Sequence, residues 1–199
     1  MTETAANVAV ILATISTVVF LLPQIAKLKR TGDSEGVSTT WAALGFVSNV
    51  GWLSYMISQA RWYAVVAPIS TFIFYGLVLR GLARSGRDLQ RAITTGILWL
   101  LALAGLGLVG GWTSLGVVLG LTYAAMVAPS IWTAYRTTNP SGVAPGTWWI
   151  GSVEAVLWGL YGLYHMDPGI ITFGTVQLMA SALMLTRYYT TRRLVLEPV

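Results

Sequence analysis

Glu154 is the side chain in this sequence whose chemistry most needs an explanation. It sits between Val153 and Ala155 in a long apolar stretch. A carboxylate there costs roughly 2.5–3.5 kcal/mol on insertion scales, so it must face a cavity or a partner rather than lipid. Trp158 follows at i+4, a spacing that puts carboxylate and indole on one face of a helix. The same spacing recurs earlier as Ser48 and Trp52, with Asn49 beside Ser48. Two such faces predict a polar, aromatic-walled pocket near mid-membrane. Rings to stack on a sugar or planar group, with a few hydrogen-bonding groups to orient it, are what binding a small polar solute requires. The competing reading makes Trp52 and Trp158 packing residues and Glu154 a protonated structural contact.

Catalysis has no constellation to rest on. The single histidine, His165, lies beside Asp167 with no second ligand at metal spacing, and is expected to be a solvated loop residue. There is no phosphate-binding glycine loop, no nucleophile elbow and no pair of carboxylates inside the apolar stretches, and cysteine is absent. The expectation is a protein that is not an enzyme and needs neither metal nor cofactor.

The recurrence of the polar-aromatic pair belongs to a larger pattern. A gapless shift of 106 residues carries LPQIAKLKRTGDSEGV (22–37) onto APSIWTAYRTTNPSGV (128–143). It pairs Pro23 with Pro129, Arg30 with Arg136, Gly36 with Gly142, Gly45 with Gly151, Trp52 with Trp158 and Tyr55 with Tyr161. Turn residues, prolines and tryptophans matching at one offset mark a duplicated unit. Each proline falls late in an apolar helix, where it removes a backbone hydrogen bond and favours a bend.

The elements that must position these residues are membrane spans. Hydrophobic residues make up 55% of the chain and charged ones 10%, against about 25% charged in soluble domains. Seven apolar helices are expected, over 5–29, 40–57, 63–82, 92–109, 115–135, 148–164 and 169–189. The first begins without a basic leader and is too long for a signal peptide, so it is expected to stay in the mature protein. The fold class is thus an all-α integral membrane protein. Residues 1–86 form a first three-helix repeat, 87–111 a linker helix and 112–199 a second three-helix repeat. A single intervening span lets both repeats run in the same direction.

The net charge of +5 would suit nucleic acid, but the positions of the bases favour topology. With the N-terminus outside, Lys27, Lys29, Arg30, Arg80, Arg84, Arg87, Arg91, Arg136, Arg187, Arg192 and Arg193 all fall inside, and only Arg61 outside. That excess predicts an outer N-terminus, a cytoplasmic C-terminus and a plasma-membrane location without a nucleic-acid partner. Trp41, Trp62, Trp112, Trp148 and Trp149 fall at predicted helix ends and suit interfacial anchoring. Gly105, Gly107, Gly110, Gly111, Gly116 and Gly120 offer small faces for close helix packing.

The Pro-Gln turn at Pro23 and Gln24, the Gly-Val step before the next helix and the W-x-x-Y pattern resemble the PQ-loop superfamily. Within it, nearly the whole chain resembles a full-length SWEET-type sugar transporter whose halves are similar to bacterial SemiSWEETs. The resemblance implies two triple-helix bundles, a central uniport pathway and bending at Pro23 and Pro129 during alternating access. By position it implies Trp52 and Trp158 as pocket tryptophans, with Ser48 and Glu154 one turn earlier. Val19 and Ala125 would gauge solute size. The family's pocket asparagines fall here on Pro68 and Gly174, leaving Asn49 as the nearest amide on one side. The partners implied are the lipid bilayer and a small-molecule solute, a sugar first. Two alternatives stand beside this: a proton-coupled amino-acid carrier using Glu154, since a desolvated carboxylate can titrate near neutral pH, and a non-transporting receptor of the same fold. Whether copies assemble as a homo-oligomer is left open by the sequence.

Overall fold

The computed structural model describes residues 1–31, 38–136 and 145–196, with the side chains of 20–31, 133 and 192–196 outside the description. Six α-helical elements and one 3-10 turn follow in order: α1 (Glu3–Thr31), α2 (Thr39–Ser58), the turn Trp62–Ala64, α3 (Val66–Arg84), α4 (Gln90–Arg136), α5 (Pro145–Tyr164) and α6 (Pro168–Leu196). No strand occurs among the described residues. The helix starts follow from local chemistry. Ser38 Oγ accepts from the Trp41 amide at 3.2 Å and caps α2. Pro145 and Pro168 open α5 and α6, where a missing N–H costs no helical bond.

The ends of α2 and α5 are the same structure built twice. Arg61 N donates to Met56 O at 2.8 Å, and Asp167 N donates to Gly162 O at 2.8 Å. Ala60 and Met166 take left-handed φ values of 52° and 50°, uncommon for residues with a Cβ. A left-handed residue with such a long return bond is the usual way to close a helix on its own last carbonyls. These two turns, 106 residues apart, thus share one backbone geometry.

Length alone forces a break in α4. Its 47 residues would span about 70 Å as a straight rod, over twice the hydrocarbon thickness. The break is at Gly111, with φ 73° and ψ 177°, a conformation essentially confined to glycine. Leu103 before it and Leu119 after it both approach Gly51 on α2, so the two arms fold back alongside each other. The sequence reading expected two separate helices here and packing glycines between them. Two helical arms do run here, and the kink that separates them is at Gly111, which supplies the turn. Gly116 and Gly120 do pack: a Cβ on Gly116 would fall 2.5 Å from the Tyr55 ring, and one on Gly120 2.8 Å from Phe173 N.

Helix neighbours define the interior. The first helix packs on α3 and α5, the second on α3 and α4, and α6 lies against α4 and α5. Between them lies an apolar cluster containing Val10, Tyr55, Leu119, Trp158, Tyr161 and Ile170. Among the described residues, Trp62–Arg84, Gln90–Arg136 and Pro168–Thr191 are long and apolar enough to cross a bilayer, and Glu3–Val19 is a shorter apolar helix. With these helices the chain is an integral membrane protein. The helices α2 and α5, also expected as spans, carry Ser48, Asn49, Trp52, Glu154 and Trp158, and those residues turn inward.

A candidate solute cavity

A cavity of about 390 Å³ opens between the helices, a volume suited to a small molecule. Its wall is assembled from every α-helix, with Thr17 from α1, Ser48, Asn49 and Trp52 from α2, and Pro68 and Thr71 from α3. Tyr123 comes from α4, Glu154 and Trp158 from α5, and Phe173 and Gln177 from α6.

Phe173 is the centre of the aromatic wall. Its ring meets Trp52 at 5.8 Å, Trp158 at 6.3 Å and Tyr123 at 5.4 Å between centroids, always edge to face. This arrangement lets the ring edges meet the negative faces of their neighbours and fixes the indole planes. Trp158 itself is nearly buried, at 4% exposure, so much of its surface serves packing as well as the cavity.

Glu154 is buried and hydrogen-bonded from two other helices. Thr17 donates its hydroxyl to Oε1, and Gln177 Nε2 donates to Oε2 at 2.9 Å. On the opposite side Thr71 donates to Asn49 Oδ1, while Asn49 Nδ2 donates to Gly45 O at 2.7 Å. Ser48 accepts from Trp99 Nε1 at 3.0 Å. Buried polar groups must be paired, and here most pairings cross between helices, so the same bonds orient the cavity and hold the bundle.

A charged cluster lies beyond one end of the cavity, past Met56 and Ile170 on its wall. Asp167, almost wholly buried, accepts from Tyr55 Oη at 2.6 Å, from Ile170 N at 3.1 Å and from Arg61 Nε at 3.4 Å. Arg61 also donates from Nη1 to His165 Nδ1 at 2.8 Å. His165 therefore accepts as the neutral imidazole, its ring edge-on to Tyr161 at 4.5 Å. Burial, then Arg61, push its pKa below the ordinary value, against the weaker pull of Asp167 and Glu3. The wall at the other end carries Trp41 and Trp148, close to the first turns of α2 and α5.

Several sequence expectations change here. Ser48, Asn49, Trp52, Pro68, Glu154 and Trp158 are brought together on the cavity wall. Val19 and Ala125 are exposed and lie off that wall. Gly174 is buried against Ala155 and Gly159 of α5, where a Cβ would fall 2.9 Å from a carbonyl, so it permits helix contact instead of lining the cavity. Pro129 lies inside α4. Pro23 and Gln24 are in α1, but their side chains fall outside the described residues. Trp62, Trp112 and Trp149 are exposed as anchors should be, whereas Trp41 and Trp148 are half-buried on the cavity wall. His165 is half-buried in a polar cluster, not a solvated loop residue.

Thr17, Thr71, Gln177, Tyr123 and Phe173 were missed. A signal for two of them was present: the shift of 106 pairs Thr71 with Gln177, polar residues in otherwise apolar helices. The same shift pairs Arg61 with Asp167, which meet in the charged cluster. Among the described residues, no group of acidic, histidine or cysteine side chains is arranged to hold a metal ion.

Residues 5–62, from α1 through α2 to the start of the 3-10 turn, match the family model described as PQ loop repeat. This match supports the PQ-loop superfamily, whose proteins are membrane transporters or receptor-like, not typically enzymes. No curated protein matches the chain.

Proposed function

We propose that this chain is a secondary carrier that moves a small polar solute, a sugar in the first instance, by exposing one central cavity alternately to the two membrane faces. One observation carries the reading. A cavity of about 390 Å³ with a polar centre and an aromatic wall has the Tyr55–Asp167–Arg61 cluster beyond one end. A static scaffold has no need of a hydrated polar cavity in the middle of its bundle. A carrier needs a site and a closure that can be broken. Burying Asp167 is offset by three donors, and parting them leaves a charge that only water can satisfy, so closure and hydration of that end exclude each other. The helix contacts support the same view: α1 with α3 and α5, and α4 with α6 and α2, are the neighbours expected of two similar triple-helix units facing each other.

Pro129, and Pro23 in the first unit, are assigned as the bending points. Pro129→Ala restores a backbone donor and straightens α4. The variant should insert normally and lose most of its flux; full flux would remove the hinge role.

A second transport reading, a proton-coupled amino-acid carrier, draws on Glu154 standing in the cavity wall. Purified protein in liposomes decides between these by counterflow of labelled glucose, sucrose, lysine and arginine, with and without a pH gradient. Sugar counterflow indifferent to the gradient supports the first reading, and gradient-dependent amino-acid flux the second. Absence of counterflow for all four overturns the sugar and amino-acid readings, and absence for amines as well, in protein that is folded, overturns the carrier reading in favour of a receptor.

A further inference from the structure

The charge of the cavity is unbalanced. Around its one carboxylate, Thr17 and Gln177 Nε2 donate to Glu154, while Asn49 Nδ2 donates to Gly45 O and Thr71 to Asn49 Oδ1. Thr122 likewise donates to Val118 O at 2.8 Å. Gln177 Oε1 is buried with no partner, beside a carboxylate whose two oxygens each retain a lone pair. Among the described residues, the lining includes no lysine, arginine or histidine. A buried carboxylate without a countercharge must be neutralised by a proton or by a bound cation.

From this we infer that the preferred solute is an organic amine in its ammonium form, with a compact apolar or aromatic body and no carboxylate of its own. The inference rests on the reading of the cavity as a solute site and names the class of solute. A primary ammonium brings three donors and no acceptor, matching Glu154 and Gln177 Oε1. The indoles of Trp52 and Trp158 with the Phe173 ring provide aromatic surface for the body, and aromatic faces attract cations in desolvated sites. An anion meets the Glu154 carboxylate with no cationic side chain on the described wall to offset it. A zwitterionic amino acid brings a carboxylate of its own into that same uncompensated site. A neutral sugar can donate, but it leaves Glu154 uncompensated.

Four probes separate these cases: 2-phenylethylamine, its neutral isostere 2-phenylethanol, phenylalanine and glucose. Binding is measured by titration calorimetry on the purified full chain in detergent near pH 7. The amine should bind about tenfold or more tightly than the alcohol, the usual scale for hydrogen bonds to a charged group. Phenylalanine and glucose should bind more weakly than the amine. In Glu154→Gln the preference for amine over alcohol should fall to near one. Equal binding of amine and alcohol by the parent protein, or tighter binding of glucose, overturns the inference, as does an amine preference that survives Glu154→Gln. If that variant fails to fold, the ratio in the parent decides alone, with Gln177→Leu as the second variant, expected to weaken the amine selectively. Because binding is read without flux, amine selectivity stands if counterflow fails, and failure of amine selectivity leaves the carrier reading in place.

Discussion

At the scale of single residues, burial and hydrogen bonding separate the two roles a membrane tryptophan can play. Trp158 contacts Phe173 and lines the cavity, whereas Trp112 lies exposed beside the fold of α4. Removing an aromatic ring from a desolvated site typically costs binding about 1–3 kcal/mol. Trp158→Ala is therefore expected to weaken solute binding by that amount, and Trp112→Ala to leave it unchanged, in the same calorimetric titration. Equal losses at both sites would make Trp158 ordinary packing. Trp99, an apparently neutral helix residue in the sequence, is unsuitable as the control because its indole N–H holds Ser48 Oγ at 3.0 Å. Glu154 was legible from the sequence as a residue that must face a cavity. Its partners were not, because Thr17 and Gln177 lie 137 and 23 residues away and periodicity within one helix carries no information about them.

At the scale of elements, the fold of α4 depends on a single backbone conformation. Gly111 has φ 73° with ψ 177°, and a Cβ there is strained although nothing lies within 4 Å of it. Holding a non-glycine residue in that region costs of order 1–3 kcal/mol. Gly111→Ala should lower stability by about that much, read as a reduced thermal midpoint in detergent, while Gly105→Ala, with open space and helical backbone, should change it by no more than about 0.5 kcal/mol. An unchanged midpoint in Gly111→Ala would mean that the two arms are held by their contacts with α2 and α6 alone. The sequence exposed six glycines in this region without distinguishing them. Only the backbone angle separates the one that turns the chain from Gly116 and Gly120, which admit Tyr55 and Phe173.

For the whole molecule, stability is coupled to proton binding through His165. Burial, and then Arg61, hold this imidazole below its ordinary value of 6.5, with its Nδ1 accepting from Arg61. The folded protein therefore binds fewer protons there than the unfolded chain does. The stabilising contribution is complete above the ordinary value and is lost as pH falls below it, because a proton on Nδ1 removes the acceptor and sets two cations together. Between about pH 6.5 and 5.5 the thermal midpoint of the parent should fall more than that of His165→Gln, which keeps an acceptor and cannot titrate. Parallel curves would exclude His165 from this coupling. The distribution of arginine and lysine makes the direction of the whole assembly a testable prediction. A tag at Thr2 should be reachable from outside intact cells, and one after Val199 only after permeabilisation; both ends on one side would overturn the assigned topology.

The membrane class, the duplicated unit, the proline-bearing helices and the cavity-facing character of Glu154 are local properties: composition, spacing and a constant offset contain them. Even the two halves of the charged cluster, Arg61 and Asp167, stand at that offset. Their opposite charges become meaningful only when the ends of α2 and α5 meet. The tertiary structure alone decided that Gly174 supports a helix contact, that Val19 faces outward and that Trp41 and Trp148 line the cavity. The reason is geometric. Spacing along a helix fixes which residues share a face, but which neighbour that face meets depends on helix crossings set by packing across the whole bundle. The same crossings bring Thr17 and Gln177 onto Glu154 and gather the aromatic rings around one carboxylate.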